Sequence, residues 1–179
     1  MNQNQAMQVL RKWDKEGRFV FTKHELAKFF PEDNAKTFSE GLHRLVKTNV
    51  LQRACRGVYV NPQATCFDSD VIRYIAKALR LGEYNYISLE SMLSEYGVIS
   101  QIPIDRLTVM TTGREGVYKT CYGVIEMTHT KRSTTDILKS TYLIKNKPLR
   151  VATKEIALRD LKRVGRNLNL IQSEEINDD

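Results

Sequence analysis

The chain is poor in residues that do redox or metal chemistry. Cys55, Cys66 and Cys121 are its only cysteines, no two of them form a C-x-x-C pair, and His24, His43 and His129 are scattered. An odd number of thiols at wide spacing argues against a disulfide framework, and the spacing suits no metal site. The three read as buried or half-buried free thiols, and neither metal nor cofactor is expected. No apolar run approaches the roughly 18 residues that a membrane helix needs. The opening Met1-Asn2-Gln3-Asn4-Gln5 lacks the basic and apolar regions of a secretion signal, so a cytoplasmic protein is expected. Also missing are a Gly-rich phosphate loop, a G-x-S-x-G elbow and an H-E-x-x-H pair. Lys119, Cys121 and His129 come nearest to a nucleophile with a base, but nothing in the sequence puts His129 beside Cys121. Glu90, Glu95 and Asp105 make no recognisable carboxylate pair. No enzymatic activity is expected.

What the chain does have is positive charge, unevenly placed. The formal net charge is +7 over 179 residues. Residues 1–66 hold 11 Lys and Arg against 6 Asp and Glu, whereas residues 67–179 hold 17 against 15. A basic N-terminal third suits a polyanionic partner, since each cation near a phosphate releases condensed counterions. A hydrophobic content of 41% supports a packed core.

The pattern of elements in that third is specific. Gln5–Lys15 reads as a helix with Met7, Leu10 and Trp13 on one face, ended by Gly17. Phe19-Val20-Phe21 is a short strand. Thr22-Lys23-His24-Glu25 is a capping box, and the short helix it opens should bury Leu26 and Phe30. After the turn at Pro31–Asn34 a second helix spans Ala35–Thr48. Phe38, Leu42, Leu45 and Val46 share one face of it at i, i+4, i+7, i+8 spacing, and Asn49 suits a left-handed stop. Val50–Arg53 and Gly57–Val60 then form strands around Ala54-Cys55-Arg56, a hairpin with a basic tip. Helix, short helix, turn, helix and β-hairpin is the order of a winged helix-turn-helix.

Residues after Pro62 read differently. A helix should run from Asp68 or Ser69 to Leu81, and Ser88 should cap another over Leu89–Tyr96. Tyr84–Ile87, Arg106–Thr111, Val117–Thr120, Tyr122–His129, Ser140–Ile144 and Leu149–Ala152 are β-prone. Thr153–Val164 is a helix, and the acidic Ser173–Asp179 is a frayed tail. The fold class is therefore α+β. Residues 1–63 are expected to form a winged-helix domain of the DNA-binding type and residues 64–179 a small mixed α/β domain, with the boundary near Asn61–Thr65.

The mechanism follows from dimensions. The major groove admits one α-helix, and the second helix of a helix-turn-helix pair is presented to it. Here that helix offers Lys36, Thr37, Ser39, Glu40, His43 and Arg44, with Lys47 late enough to touch backbone. Arginine can bond guanine twice, and Ser or Thr can read either pair type or hold a phosphate. At the wing, Arg53 and Arg56 would reach phosphate or the adjacent minor groove, and Gly57 allows a tight turn close to DNA. Each element taken alone also fits a solvated basic surface; their order is what points to double-stranded DNA.

Three segments carry a family resemblance. Leu51-Gln52-Arg53-Ala54-Cys55-Arg56-Gly57-Val58-Tyr59 resembles the L-x-R-x-x-R-G-x-Y wing of AbiEi-type antitoxins of type IV toxin–antitoxin systems. Tyr86-Ile87-Ser88-Leu89-Glu90-Ser91-Met92-Leu93, followed by Tyr96-Gly97-Val98, resembles the Y-I-S-x-x-S/A-x-L and H/Y-G-L stretches that open the family's second domain. Val151-Ala152-Thr153-Lys154-Glu155-Ile156-Ala157-Leu158-Arg159-Asp160-Leu161 resembles a late v-A-t-x-E-x-A-L-x-D-L stretch. The resemblance is read over about Gly17 to Arg166, with the three segments falling in order between Leu51 and Leu161. The resemblance implies a repressor that binds inverted repeats in its own promoter through the winged helix. It also implies a second domain that helps neutralise a nucleotidyltransferase-like toxin encoded alongside. It places DNA contact on Arg53, Arg56 and Tyr59, and core positions on Ile87, Leu89, Leu93, Ala157, Leu158 and Leu161. The C-terminal half is short beside larger members, which bears on the toxin-related role. The competing reading is a winged helix that docks an acidic protein without sequence-specific DNA binding. A third, a nuclease in the second domain, would need metal-dependent cleavage through Glu90 or Asp105.

Overall fold

The computed structural model describes residues 1–99 and 105–171. The chain is mixed α+β, with seven α-helices and two sheets among the described residues. It divides into two compact units, Met1–Leu79 and Arg80–Asp179. The tail expected from Ser173 lies outside the described residues. None of the described helices is long and apolar enough to cross a membrane.

The first unit opens with α1 (Gln3–Lys15), capped by Asn2, whose side chain accepts from the Gln5 N–H while Gln5 returns a bond to the Asn2 backbone. Strand β1 (Val20–Thr22) leads directly into α2 (Lys23–Lys28) through the expected capping box. Glu25 N–H donates to Thr22 Oγ1 at 3.1 Å, and Thr22 N–H donates to Glu25 Oε2 at 2.8 Å. Burial works against the charge on Glu25. The Thr22 N–H and the Arg18 guanidinium, 2.6 Å away, outweigh it and hold the carboxyl below its ordinary range. Helix α3 (Ala35–Lys47) starts at Asn34, whose side chain accepts from the Thr37 N–H. It ends where Asn49 turns left-handed at φ 55°.

Strands β2 (Gln52–Cys55) and β3 (Val58–Val60) complete an antiparallel sheet of order β1-β3-β2. The hairpin differs from the expected one. Its turn is Arg56-Gly57 rather than Ala54-Cys55-Arg56, because Ala54 is buried in β2 and a bulge between Arg53 and Cys55 absorbs the odd residue. Gly57 takes φ +82°, where a side chain would be strained.

Phe38, Leu42 and Leu45 of α3 meet Leu10, Phe21, Leu26, Leu51 and Tyr59 in one apolar cluster, with Met7, Trp13, Phe30 and Val46 half-buried against it. Truncating a core leucine such as Leu42 to alanine costs about 2–5 kcal/mol in sites of this kind.

The boundary expected near Asn61–Thr65 falls inside this unit. The Asp14 carboxylate accepts from the backbone N–H groups of Thr65 and Cys66 at 2.9 and 3.0 Å, which holds its pKa at about 2. The Phe19 ring packs on Phe67 and Tyr74 at centroid distances of 5.4 and 4.8 Å. Helix α4 (Val71–Leu79) is thereby bound to the first unit.

The second unit is built on a six-stranded mixed sheet. Its strands are β4 (Asn85–Ile87), β5 (Arg106–Thr111), β6 (Gly116–Thr120), β7 (Gly123–His129), β8 (Thr141–Leu143) and β9 (Arg150–Ala152). They lie in the order β6-β7-β5-β4-β9-β8, parallel at β5–β7 and β4–β9 and antiparallel elsewhere. Helices α5 (Leu89–Glu95) and α7 (Lys154–Val164) pack together, and α6 (Thr134–Ser140), not anticipated from the sequence, sits beside β8. Ile87, Leu89, Leu93, Ala157 and Leu161 are buried as expected, while Leu158 is only half-buried.

The expected cap at Ser88 is not made: α5 has no side-chain cap. Ser88 Oγ instead donates to Asp160 at 2.8 Å, joined there by Tyr86 Oη at 3.1 Å and Arg132 Nη2 at 2.6 Å. Asp160 is fully buried. Its burial pushes the carboxyl above the ordinary range, against the pull of Ser88, Arg132 and Tyr86.

Candidate nucleic-acid interface

The exposed side of α3 is a consequence of its buried side. Phe38, Gly41, Leu42 and Leu45 face inward. At 3.6 residues per turn, Lys36, Ser39, Glu40, His43 and Lys47 fall together on the opposite stripe, and all five are exposed. Thr37 is half-buried, and its backbone N–H is taken by the Asn34 cap at 2.9 Å. Arg44 lies at the margin of the stripe, where its Nη2 donates to the Met1 carbonyl at 3.4 Å. Gly41 is buried against Met1. The stripe thus has three basic or titratable nitrogen groups, one hydroxyl and one carboxylate.

The hairpin supplies a second set. Arg53 and Arg56 are exposed and Gly57 is half-buried. Arg53 lies back along its strand, with Nε donating to the Cys55 carbonyl at 3.4 Å. Tyr59 is corrected: it is 8% exposed and belongs to the apolar cluster with Leu26 and Leu51. Its place in the middle strand of the sheet, paired with both Phe21 and Arg53, turns its ring into the core. Its ring is thus a packing element of the core.

Lys23 joins the two sets, and the sequence reading missed it. Its backbone N–H donates to the Gly57 carbonyl at 2.8 Å, and its Nζ donates to Ser39 Oγ at 3.3 Å. One residue at the start of α2 therefore holds the hairpin turn and touches the exposed stripe of α3. The available signal was its position, immediately after the capping Thr22, where a backbone N–H has no partner inside its own helix. Arg18 belongs to a different class. It is committed to Glu25 and lies over the Trp13 ring at 4.7 Å, so it serves the fold.

The groups considered for catalysis are not brought together. Cys121 sits in the turn between β6 and β7, whereas His129 ends β7, seven residues long, and its Nδ1 is 2.8 Å from the Gly113 carbonyl. Neighbouring chain partly desolvates the Cys121 thiol, although the residue is exposed, and raises its pKa, which leaves it a weaker nucleophile at neutral pH. Cys66 is raised to about 11 by burial and by the adjacent Asp14. Cys55 and Cys66 are half-buried, and Cys121 is exposed. Glu90 is buried and tied to Arg166 and Asn167 at 3.0 and 2.8 Å. Among the described residues no group of three His, Cys, Asp or Glu could hold a metal ion. No protein-family model matches the chain, and no curated protein matches it.

Proposed function

We propose that the first unit is a winged helix that binds double-stranded DNA, with α3 in the major groove and the β2–β3 hairpin as the wing. The observation that carries this is the junction at Lys23. It puts the exposed stripe Lys36, Ser39, Glu40, His43 and Lys47 and the basic hairpin turn at Arg56-Gly57 at two ends of one residue. A helix face and a hairpin so linked can engage base edges and phosphates at once, and the unit's exposed cations supply the charge that counterion release requires. Lys23, Arg53 and Arg56 are assigned to phosphate. Ser39 and His43 are assigned to base edges, with Arg44 at the margin. The protein is on this reading an antitoxin-type repressor that binds inverted repeats upstream of its own gene. Its second unit takes part in neutralising a nucleotidyltransferase-like toxin, and it has no catalytic role. The three segments like those of AbiEi-type antitoxins support that assignment.

Fluorescence anisotropy on the DNA upstream of the gene tests the reading. Sequence-specific binding at moderate salt is expected. Changing Ser39 or Arg44 to alanine should cost roughly 1–3 kcal/mol and relax base preference. Folded protein that shows no preference for this DNA sinks the autorepressor assignment. Stable co-purification with an acidic partner in the absence of any DNA affinity would favour the docking alternative.

A further inference from the structure

The second unit contains an open cleft of about 560 Å³ that the DNA-binding reading leaves unused. Its walls come from α6 and α7. Four cations line it, Arg132, Lys139, Arg159 and Arg163, together with the carboxylates of Asp136 and Glu155. The lining is therefore net cationic. Lys139 and Arg159 are exposed, and Arg163 is exposed with its charge also acting on Asp160. Thr153, the N-cap of α7, accepts from the Ile156 N–H and keeps its hydroxyl proton for another acceptor. The α7 N-terminus adds a favourable field for an anion at the same place.

Arg132 forms part of the cleft wall while anchored beneath it. Its side chain is only 8% exposed, and its Nη2 is spent on Asp160. Its Nη1 is buried with no hydrogen-bond partner among the described residues. An unmet guanidinium N–H is costly, and native structures rarely leave one without a reason. That nitrogen is closed off from solvent, so the charge that Arg132 brings to the cleft acts beside three further cations through the field rather than through this N–H.

We propose that this cleft binds a small anion carrying two or more phosphate groups. Guanidinium forks and a hydroxyl match the several oxygens of a phosphate better than the two of a carboxylate. The lining contains no aromatic ring, so recognition is of the phosphates rather than of a stacked base. The cleft is large enough for a small ligand. The site is independent of α3 and the hairpin.

Titration calorimetry on the full chain with magnesium-free pyrophosphate tests it, with citrate as the carboxylate counterpart. One site for pyrophosphate is expected, and citrate should bind more weakly. Arg159→Ala with Arg163→Ala removes two exposed cations and leaves the Arg132–Asp160 pair in place, and Lys139→Ala with Arg159→Ala, which spares the charge that Arg163 supplies to Asp160, is the second variant. Pyrophosphate affinity should fall at least about tenfold. Arg53→Ala with Arg56→Ala, in the other unit, should leave it unchanged. The proposal is overturned if the wild-type chain binds no pyrophosphate, if the α7 double variant binds it equally, or if citrate binds as well. Loss of DNA affinity in the α7 variant without any pyrophosphate site would assign the cleft to a nucleic-acid backbone and overturn it too.

Discussion

In the unit of residues 1–79 the core cluster is apolar, a sheltered pair of the Met1 ammonium and Asp33 at 2.6 Å sits at its edge, and the cations of α3 and the hairpin stand in solvent. In the unit that follows, charge is part of the interior. Asp160 is fully buried against Arg132, Tyr86 and Ser88, and Glu90 and Glu126 both hold Arg166. The difference separates two uses of charge. Exposed cations contribute little to stability, because water already solvates them. They can be removed with the fold intact, which leaves them free to serve a partner. Buried ions are structural obligations, since an ion that loses its partner in a low-dielectric interior has no substitute for it.

The sharpest way to break this contrast is at Asp160. Replacing it with alanine should destabilise the second unit by about 3–5 kcal/mol in denaturant unfolding, because Arg132 would remain buried and unpaired. A combined Asp160→Leu and Arg132→Met change should recover much of that loss. A single Asp160→Ala variant as stable as wild type would show that the pair is not an interior obligation.

Next in size is Tyr59, where the two uses meet within the first unit. Tyr59→Ala should cost about 3 kcal/mol of stability as a core truncation. Tyr59→Phe should keep the DNA affinity of the wild type. A selective loss of affinity in Tyr59→Phe, at unchanged stability, would return Tyr59 to the interface.

Removing Arg53 and Arg56 together should do the opposite. Stability should change by less than about 0.5 kcal/mol. The slope of log affinity against log salt should fall by about 0.9 for each phosphate that is no longer neutralised. Wild-type binding in this variant would remove the hairpin from the interface.

The smallest effect concerns Asp14, a half-buried carboxylate whose bonds are structural. Its pKa of about 2 lies below the ordinary 3.8. Its contribution is therefore present above the ordinary value and is lost as pH falls from about 4 to about 2. The melting-temperature gap between wild type and Asp14→Asn should narrow over that window. A gap that stays constant through it would mean that the Thr65 and Cys66 bonds do not depend on the charge.

Much of the first unit was legible because its signals are short-range. Thr22 and Glu25 are three residues apart and complete their box within one turn. Phe38, Leu42 and Leu45 repeat at helical spacing, and Asn49 stops α3 by a local backbone preference. The stripe of α3 was legible for the same reason, since burying one face fixes the other. Lys23 was not, because its two partners, Ser39 and Gly57, are distant in sequence and meet it only in the fold. The extent of the first compact unit, to Leu79, was not legible for the same cause: Phe19 holds Tyr74, and Asp14 holds Thr65, across gaps that no local pattern reports. In the second unit α6 escaped notice because it is seven residues long with Ile137 as its one buried position, too little for a visible period.

Local chemistry along the chain sets where most helices and strands begin and end, which faces are apolar, and that the positive charge gathers in the first third. These depend on backbone preferences and on side-chain spacing within a few residues. Tertiary structure alone decided that Tyr59 packs inward, that Ser88 serves Asp160 instead of capping α5, that Lys23 ties the hairpin to α3, and that four cations share one cleft. Each of these turns on a contact between residues far apart in the chain. A hydroxyl, a ring or a cation has several acceptable partners, and only the packed fold determines which one lies within reach.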